Sequence, residues 1–269
     1  MAPVFVHFII FIFFIFKLFS SGVLAAASCD QCNSRVTYFA NSSGLSTGAC
    51  GYGPYAVSFY GEHVAAAVPK LFGNGFGCGA CYQIRCKQSK ICSQTGTKVV
   101  LTDLHTDKSN TSTDFVLSSR AYRGMALPGK DKILLGLGIV DVEYQRVPCV
   151  YNNKNLTLRV EEHSKLPYYL AIKLLYQGGQ ADISAVEVAR VVEPITWVPM
   201  THNYGAVWDT SKVPKGALQF RFNITSGKDA QYFYTKQVLP ANWNPGSLYY
   251  STVQVTNVAN GGCTRCSPY

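Results

Sequence analysis

The feature that most constrains this chain is a group of closely spaced cysteines, interleaved with glycines, in its first half. Gly48-Ala49-Cys50-Gly51 is followed by Gly77-Cys78-Gly79-Ala80-Cys81, and then by Cys86, Cys92 and Cys149. Glycine permits tight turns, and dense cysteines are typical of a loop-rich domain whose thin core is cross-linked. We therefore expect a disulfide-stabilised domain that folds in an oxidising compartment. The spacing alone leaves the pairing of these six cysteines open.

The N-terminal segment predicts export to such a compartment. Residues 4–16 are uncharged and rich in Phe and Ile, Lys17 ends this stretch, and three alanines precede Ser28. The pattern is typical of a cleaved leader, and the stretch is shorter than the ~20 residues of a membrane-spanning helix. We interpret residues 1–27 as a signal peptide and expect a secreted protein with no membrane segment after cleavage. Four Asn-X-Ser/Thr sequences are then candidates for N-glycosylation: Asn41, Asn110, Asn155 and Asn223.

The chain is basic, with a net charge of +9 that falls to +8 when the leader takes Lys17 with it. A basic protein can bind nucleic acid, but the sequence has no Lys/Arg cluster, zinc finger or aromatic-basic RNA motif. We therefore expect no nucleic-acid partner. Outside a cell, an acidic or neutral polysaccharide is the better expectation, and the charge serves solubility equally well.

Length and cysteine distribution predict two domains. The 269 residues exceed the ~100–200 of a typical single domain, and cysteine is absent between Cys149 and Cys263. We place the first domain at 28–149, the second at 150–255 and a cysteine-containing tail at 256–269. No Gly/Ser-rich linker separates the halves, so we expect two domains packed with limited freedom.

Both domains have the residue pattern of β-strands. In the first, residues 98–102 and 139–147 carry β-branched runs or alternation, and only 117–127 has a helical pattern. We therefore expect one short helix there. In the second, apolar residues alternate with polar ones as in a β-sandwich, namely Leu156, Leu158 and Val160, then Leu218, Phe220, Phe222 and Ile224.

One predicted strand, residues 169–175, also indicates a function. Period-two alternation places Tyr169 and Lys173 exposed on one face and an aliphatic core on the other, formed by Leu170, Ile172 and Leu174. An exposed flat ring beside a hydrogen-bonding side chain matches the apolar face and hydroxyl rim of a sugar. A loop that covers Tyr169 is the alternative.

Motifs in a fixed order along the chain carry a resemblance to a known family. They are Thr37-Tyr38-Phe39, the Cys-Gly segments above extended to Tyr82-Gln83-Ile84-Arg85-Cys86, Thr102-Asp103, Gly138-Ile139-Val140-Asp141-Val142-Glu143-Tyr144, and Leu239-Pro240-Ala241-Asn242-Trp243. The chain resembles plant expansins, and segments 114–121, 155–162 and 176–180 resemble the expansin-like A branch. The resemblance implies an all-β fold. An N-terminal six-stranded double-psi β-barrel, akin to family-45 endoglucanases, is expected to pack on a C-terminal immunoglobulin-like β-sandwich that binds polysaccharide.

The resemblance also implies three disulfides, Cys50–Cys78, Cys81–Cys149 and Cys86–Cys92. The remaining cysteines form two Cys-x-x-Cys pairs near the ends of the mature chain, Cys29 with Cys32 and Cys263 with Cys266. Four thiolates in such pairs are also a zinc motif, but secretion favours oxidation. We expect disulfides within each pair or between the termini, with no metal and no other cofactor.

Hydrolysis is disfavoured by the same resemblance. An inverting glycosidase uses an acid and a base roughly 6.5–9.5 Å apart. The related endoglucanases, as the resemblance has it, carry them in a His-Phe-Asp motif and in an Asp near the N-terminal aromatic motif. Here the first motif reads Asp114-Phe115-Val116, and no acidic residue follows Phe39 before Glu62. We therefore expect no catalytic residue and no enzyme activity.

Other titratable residues of this region are weaker candidates. Asp103 remains, and we expect it to line a polysaccharide groove or to serve as a turn or cap residue. Asp107 and Asp114 are the carboxylates that would have to replace a lost partner, although displacement along a strand disrupts proton transfer. His105 is interpreted as an exposed loop histidine.

Binding is the better-supported prediction. The resemblance implies a line of aromatic side chains from barrel to sandwich, at positions matched here by Tyr38, Tyr169 and Tyr204. Their polar neighbours would be Thr37, Asp103 and Lys173. All three rings are tyrosines where tryptophan is common in the first and last. We therefore expect weak binding to crystalline cellulose or a preference for another glycan.

The tryptophans are interpreted as core residues, because a sandwich needs large apolar fillers; they are Trp197, Trp208 and Trp243. Strict alternation would put Trp208 on the same face as Tyr204, and a bulge at Gly205 would separate them.

Three functions remain open at this point. The first is a monomeric, non-hydrolytic wall protein that binds cellulose, hemicellulose or pectin and loosens glycan contacts. The second is a carbohydrate-recognition or defence protein without loosening activity, and the third is a glycoside hydrolase with a rearranged acid–base pair.

Overall fold

A computed structural model describes residues 31–39, 48–106, 112–226 and 229–257, which form two β domains. Several predicted features lie outside these residues: the signal peptide, Cys29, Asn41, Asp107, Asn110, Cys263 and Cys266. Within the described ranges, no helix is both long and apolar enough to cross a bilayer.

The first domain is a closed six-stranded barrel, as the resemblance implies. Its strands are β1 (Cys32–Phe39), β2 (Val64–Ala67), β3 (Cys81–Cys86), β4 (Thr97–Leu104), β5 (Thr113–Ser118) and β6 (Val140–Val147). They follow the order β1-β5-β2-β4-β3-β6 around the barrel. The β1–β5 and β2–β4 pairs are parallel, and the other neighbours are antiparallel.

Alternate residues of the strands fill the barrel interior. Val36, Phe115 and Leu117 are fully buried in one cluster with Ala65 and Leu101. Burying a large apolar side chain contributes roughly 1.5–3 kcal/mol, so strand alternation fixes which face of each strand turns inward.

Three disulfides tie the loops to this barrel: Cys50–Cys78, Cys81–Cys149 and Cys86–Cys92. These are the three pairings that the resemblance implies. Cys32 is disulfide-bonded as well, rather than a free thiolate.

The described residues contain three short α-helices rather than the single helix predicted. They are α1 (Pro69–Phe72), α2 (Ser119–Arg123) and α3 (Asp131–Leu137). The helix predicted at 117–127 is too long, because Leu117 and Ser118 complete β5. The Ser118 hydroxyl then caps α2 by accepting from the Ala121 N–H at 3.1 Å. The other two helices are too short for a helical period to be visible in the sequence.

The second domain is a β-sandwich of two packed sheets. Its strands are β7 (Thr157–Val160), β8 (Leu170–Leu175), β9 (Asp182–Arg190), β10 (Val198–Pro199), β11 (Thr201–Tyr204), β12 (Val207–Thr210), β13 (Leu218–Ser226), β14 (Asp229–Tyr234) and β15 (Leu248–Tyr250). One sheet has the order β10-β9-β13-β14, and the other has the order β11-β12-β8-β7-β15.

The sandwich core confirms the alternation read from the sequence. All four apolar residues of β13 are fully buried: Leu218, Phe220, Phe222 and Ile224. Trp208 and Trp243 are buried in the same cluster. The prediction for Trp197 is wrong, because its ring is half-buried and lies 4.7 Å from the Arg221 guanidinium, outside this core.

Strand β8 is buried on both faces. Leu170, Ile172 and Leu174 face the sandwich core as predicted. Lys173 is also buried, with only 5% of its surface exposed, and its ammonium donates to Glu161 Oε2 at 3.0 Å. The prediction of an exposed Lys173 is therefore wrong. The strand lies in the middle of its sheet, where neighbouring side chains cover the outer face.

The two domains are joined by direct contacts. The predicted boundary follows Cys149, which exchanges two backbone hydrogen bonds with Gly179 at 2.8 and 2.9 Å. Arg146 of β6 donates to both carboxylate oxygens of Asp182 in β9, at 3.0 and 2.5 Å. Aromatic rings pack across the same junction: Phe59, Tyr151 and Tyr176.

Candidate functional site

A row of four residues crosses the barrel wall, one on each of four neighbouring strands. The strand register pairs Thr37 with Val116, Val116 with Ala66, and Ala66 with Asp103. Paired residues point to the same side of a sheet. Phe115 and the residues that pair with it fill the barrel interior, so the four residues of the row face away from the interior. Val116 and Ala66 are buried, whereas Thr37 and Asp103 are half-exposed.

The row has a carboxylate at one position only. Val116 stands two strands from Asp103, which is roughly 10 Å at the usual strand spacing. A valine at that position neither donates nor accepts a proton, and its burial leaves no open site for a glycosidic bond. The row therefore lacks the paired acid and base that glycoside hydrolysis requires.

Asp103 has a clear structural role. Its Oδ1 accepts from the backbone N–H of Ala49 at 2.6 Å and from that of Leu104 at 2.7 Å. These bonds hold the Gly48–Gly51 loop against the end of β4. Asp103 therefore caps this turn, which is one of the two roles expected for it. This role is compatible with a place on a binding surface.

Asp114 and His105, the other titratable candidates that the structure describes, both make structural contacts. Asp114 is buried at a bulge of β5, where its Oδ2 accepts from the Tyr144 hydroxyl at 3.2 Å. Burial raises the pKa of the Asp114 carboxyl. His105 is half-buried rather than exposed, because it lies against β2, where its backbone N–H donates to Ala67 O at 2.7 Å.

The Gly48–Gly51 loop connects this row to the sandwich. Gly51 has φ +72°, and a Cβ at this position would lie 2.6 Å from Cε2 of Tyr204. The Tyr204 ring therefore contacts the backbone of the loop that Asp103 holds. A side chain at Gly51 would displace the ring, so the glycine is required for this contact.

Tyr204 stands at the tip of the β11–β12 hairpin, where it docks on the barrel. The register of the hairpin shifts between His202 and Tyr204, and Gly205 has φ +52°. A Cβ at Gly205 would lie 2.5 Å from the Cys50 carbonyl carbon. The shift leaves Tyr204 44% exposed while Trp208 enters the core. The expected separation of these two residues is thus present, with the register shift at Asn203 rather than at Gly205.

Tyr169 lies close to Tyr204, immediately before β8 of the same sheet. It is half-buried, and its hydroxyl donates to Asp209 Oδ2 at 2.8 Å, to which Asn203 Nδ2 also donates. Burial, together with the hydrogen bond to the Asp209 carboxylate, raises the pKa of Tyr169 to about 12. Hydrogen-bonding groups therefore surround both rings.

We call Asp103, Gly51, Tyr204, Tyr169 and Asp209 the junction surface, because it runs from the barrel across the domain contact onto the sandwich. Burial raises the pKa of the Tyr204 hydroxyl, and nearby Glu161 and Glu162 add to the effect. The phenol therefore stays protonated and remains a hydrogen-bond donor.

A charge network supports the junction surface from below. Arg159 donates to Glu161 Oε1 at 2.9 Å and to Glu162, and its Nε donates to the Tyr55 hydroxyl of the barrel at 3.2 Å. Lys173 completes the network through Glu161. A hydrogen bond from Arg159 lowers the pKa of Glu162 to about 2. Lys173 is therefore a buried support for the surface and does not present a free ammonium.

Tyr38 packs against the barrel. Its half-buried ring lies 4.7 Å from that of Tyr122, and its hydroxyl donates to Leu135 O at 3.3 Å. The neighbouring Thr37 hydroxyl donates to Gly138 O at 3.0 Å. Both residues anchor α3, and their place on a binding surface stays a prediction.

Sequence reasoning missed several residues of this region. Phe76 and His202 stack at 4.4 Å beside Trp208 and line a small crevice between the domains. Gly75 and Gly77 flank Phe76, a pattern that suits an exposed turn. No motif pointed to Asp209 or Arg159, because their roles depend on contacts between strands that are distant in sequence.

Among the described residues, no three or more His, Cys, Asp or Glu side chains are grouped in a way that would hold a metal ion.

Both domains match models of known protein families. A family model described as "Lytic transglycolase" matches residues 64–144, and one described as "Expansin C-terminal domain" matches residues 156–240. Expansin-like A3 of Arabidopsis thaliana is 54% identical over 253 residues, which cover 93% of this chain and 94% of that relative. Expansin-like A1 of the same plant is 53% identical over 256 residues and 94% of each chain.

Solved structures with the same two-domain arrangement are also similar. An apo Clavibacter michiganensis expansin has a TM-score of 0.60 at 18% identity, over 84% of this chain and 98% of that one. A mutant of the same bacterial expansin in complex with cellohexaose has a TM-score of 0.62, with the same identity and coverage. At 18% identity, the similarity to these two structures shows a shared fold and nothing further.

Proposed function

This chain belongs to the expansin family, in its expansin-like A branch, and on that premise we propose that it is a secreted cell-wall protein that binds polysaccharide along the junction surface without cleaving it. The observation that carries the proposal is the continuity of this surface. Asp103 holds the loop on which Tyr204 lies, and Tyr169 follows on the same sheet.

The chemistry of the junction surface suits a sugar chain. A pyranose ring has an apolar C–H face and a rim of hydroxyls, and a tyrosine ring offers a flat apolar face with a polar tip. The carboxylate of Asp209 and the amide of Asn203 lie beside the rings and can exchange hydrogen bonds with those hydroxyls. The related bacterial expansin was solved with cellohexaose, which supports a β-glucan as the first ligand to test.

The absence of cleavage is proposed from the barrel row. Val116 occupies the position of the expected acid, and the Asp103 carboxylate is engaged by two backbone N–H groups. Asp114 is buried with Tyr144 and lies outside the row. A surface with these groups binds a glycan and offers no proton donor and acceptor pair across a scissile bond.

The rigid junction supports a role in exchanging glycan contacts. Stacking and hydrogen bonds to the protein replace contacts between neighbouring polysaccharide chains, each contact being weak and reversible. The Arg146–Asp182 pair and the docking of Gly205 on Cys50 keep the two halves of the surface in one orientation. A strand bound along the surface would thereby be held straight across the domain junction.

Binding to a panel of purified wall polysaccharides tests the proposal. Secreted protein is incubated with cellulose, hemicellulose and pectin, and the bound fraction is measured at several concentrations, together with released reducing ends. We expect saturable retention on at least one glycan and no reducing-end release. Release that disappears in Asp103→Asn would show a hydrolase, and retention on none would refute the binding proposal.

Loosening needs a separate mechanical measurement. Creep of heat-inactivated plant wall strips under constant load is recorded with and without the protein. We expect the strips to extend when the protein is added. Retention without extension would identify a recognition module instead. Sedimentation of the protein alone tests the expected monomer.

A further inference from the structure

A second group of aromatic side chains lies on the far sheet of the sandwich, away from the junction surface. Tyr232 is 44% exposed and Tyr234 is 54% exposed, with ring centroids 6.3 Å apart. The Arg221 guanidinium lies between two rings, 4.7 Å from Trp197 and 4.9 Å from Tyr232. Glu187 accepts from Arg221 Nε at 2.5 Å and fixes the guanidinium in place.

These residues share the outer face of the sheet. Strand β13 turns Phe220 and Phe222 into the core, so Arg221 and Asn223 point outward. Arg221 pairs across the strands with Tyr234, and Asn223 pairs with Tyr232. Large apolar rings with no core to fill are unusual on a solvent-facing sheet unless something packs on them.

Asn223 provides that partner. Asn223-Ile224-Thr225 is an N-glycosylation sequence, and it lies on this face rather than on a loop. Side chains that pair across antiparallel strands have Cβ atoms roughly 5 Å apart, so a sugar on Asn223 would start beside the Tyr232 ring. On the other side Asn223 pairs with Ala185, whose small side chain leaves room.

We infer that Asn223 carries an N-linked glycan whose first sugars pack on Tyr232, Tyr234 and Trp197. The aromatic face is then occupied by the chain's own carbohydrate and is not a second polysaccharide-binding surface. The inference relies on the secretion proposed above, since only a secreted chain meets the glycosylation machinery.

Two measurements on the full chain secreted from a eukaryotic host test this inference. Glycopeptide mass spectrometry reports whether Asn223 is modified, and enzymatic glycan release from the folded protein reports how well the glycan is shielded. We expect an occupied Asn223. In Tyr232→Ala/Tyr234→Ala, release should be on the order of tenfold faster, as expected from losing stacking of about 1 kcal/mol or more.

A matched control is Tyr250→Ala, which removes an exposed tyrosine ring from the other sheet, close to Asn155. Release at Asn223 should be unchanged in this variant. An unmodified Asn223 in secreted protein overturns the inference, as do equal release rates in the wild type and the double variant. Weaker polysaccharide retention by the double variant after deglycosylation would also overturn it, because the face would then be a binding site. Retention through Tyr204 is measured on the same preparations, so failure of the proposed function is seen separately.

Discussion

Replacing Tyr204 by alanine should weaken polysaccharide binding with little effect on the fold. The side chain is 44% exposed and lies on the backbone of Gly51. It therefore contributes one stacking face to the ligand and only modest packing to the protein. An aromatic stacking contact is worth about 0.5–1.5 kcal/mol, and 1.4 kcal/mol is tenfold in affinity. We expect the dissociation constant to rise roughly two- to tenfold.

The assay is a depletion isotherm on the glycan that gives the strongest retention in the panel. Wild type, Tyr204→Ala and Tyr250→Ala are compared at equal concentrations, with thermal unfolding measured for each. Tyr250 is a suitable control because it is 71% exposed on β15, at the opposite edge of the same five-stranded sheet. A larger ring offers more stacking area, so Tyr204→Trp should bind more tightly than wild type.

Two results would refute this reasoning. Equal weakening in Tyr204→Ala and Tyr250→Ala would mean that any exposed ring contributes, and that the junction surface has no special role. Unchanged retention in Tyr204→Ala, together with an unchanged unfolding temperature, would mean that the ring does not contact the ligand.

Further predictions concern the groups that hold the junction surface in place. Asp103→Ala removes an acceptor from two backbone N–H groups, at roughly 1.5–3 kcal/mol for each bond to a charged group, and should lower both Tm and retention. Asp103→Asn keeps an acceptor oxygen and should preserve most of both, and equal losses in the two variants would contradict this role. Glu161→Gln leaves the Lys173 ammonium buried without its partner charge, so urea unfolding should show a loss of roughly 3–5 kcal/mol; a loss near zero would show that the ammonium is solvated. The pKa of Glu162 is about 2 in the folded protein against an ordinary 4.5, so its contribution to stability is present above pH 4.5 and is lost as the pH falls towards 2. Glu162→Gln should flatten the fall of Tm across that range, and an unaltered slope would argue against the pairing.

Local patterns in the sequence predicted the architecture because they report burial directly. Alternation along 218–224 identified a strand whose apolar residues are all in the core. The order of the cysteine and glycine motifs carried the family resemblance, and with it the barrel, the sandwich and the three disulfide pairings. The Asp114-Phe115-Val116 motif was also visible in the sequence, and the loss of a catalytic acid at Val116 stays a prediction.

Contacts between distant segments were decided only by the tertiary structure. Alternation placed Lys173 on an outer face correctly, but whether that face meets water depends on Glu161 and on the neighbouring strands. Tyr38 and Tyr204 are the same residue type, yet Tyr38 is half-buried against Tyr122 and Tyr204 is 44% exposed. A register shift and the close approach of Gly205 to Cys50 set the position of Tyr204. The alternation of apolar residues shows which side of a strand a side chain is on. Whether that side is buried depends on other segments, distant in sequence, that pack on it, and the local pattern carries no information about them.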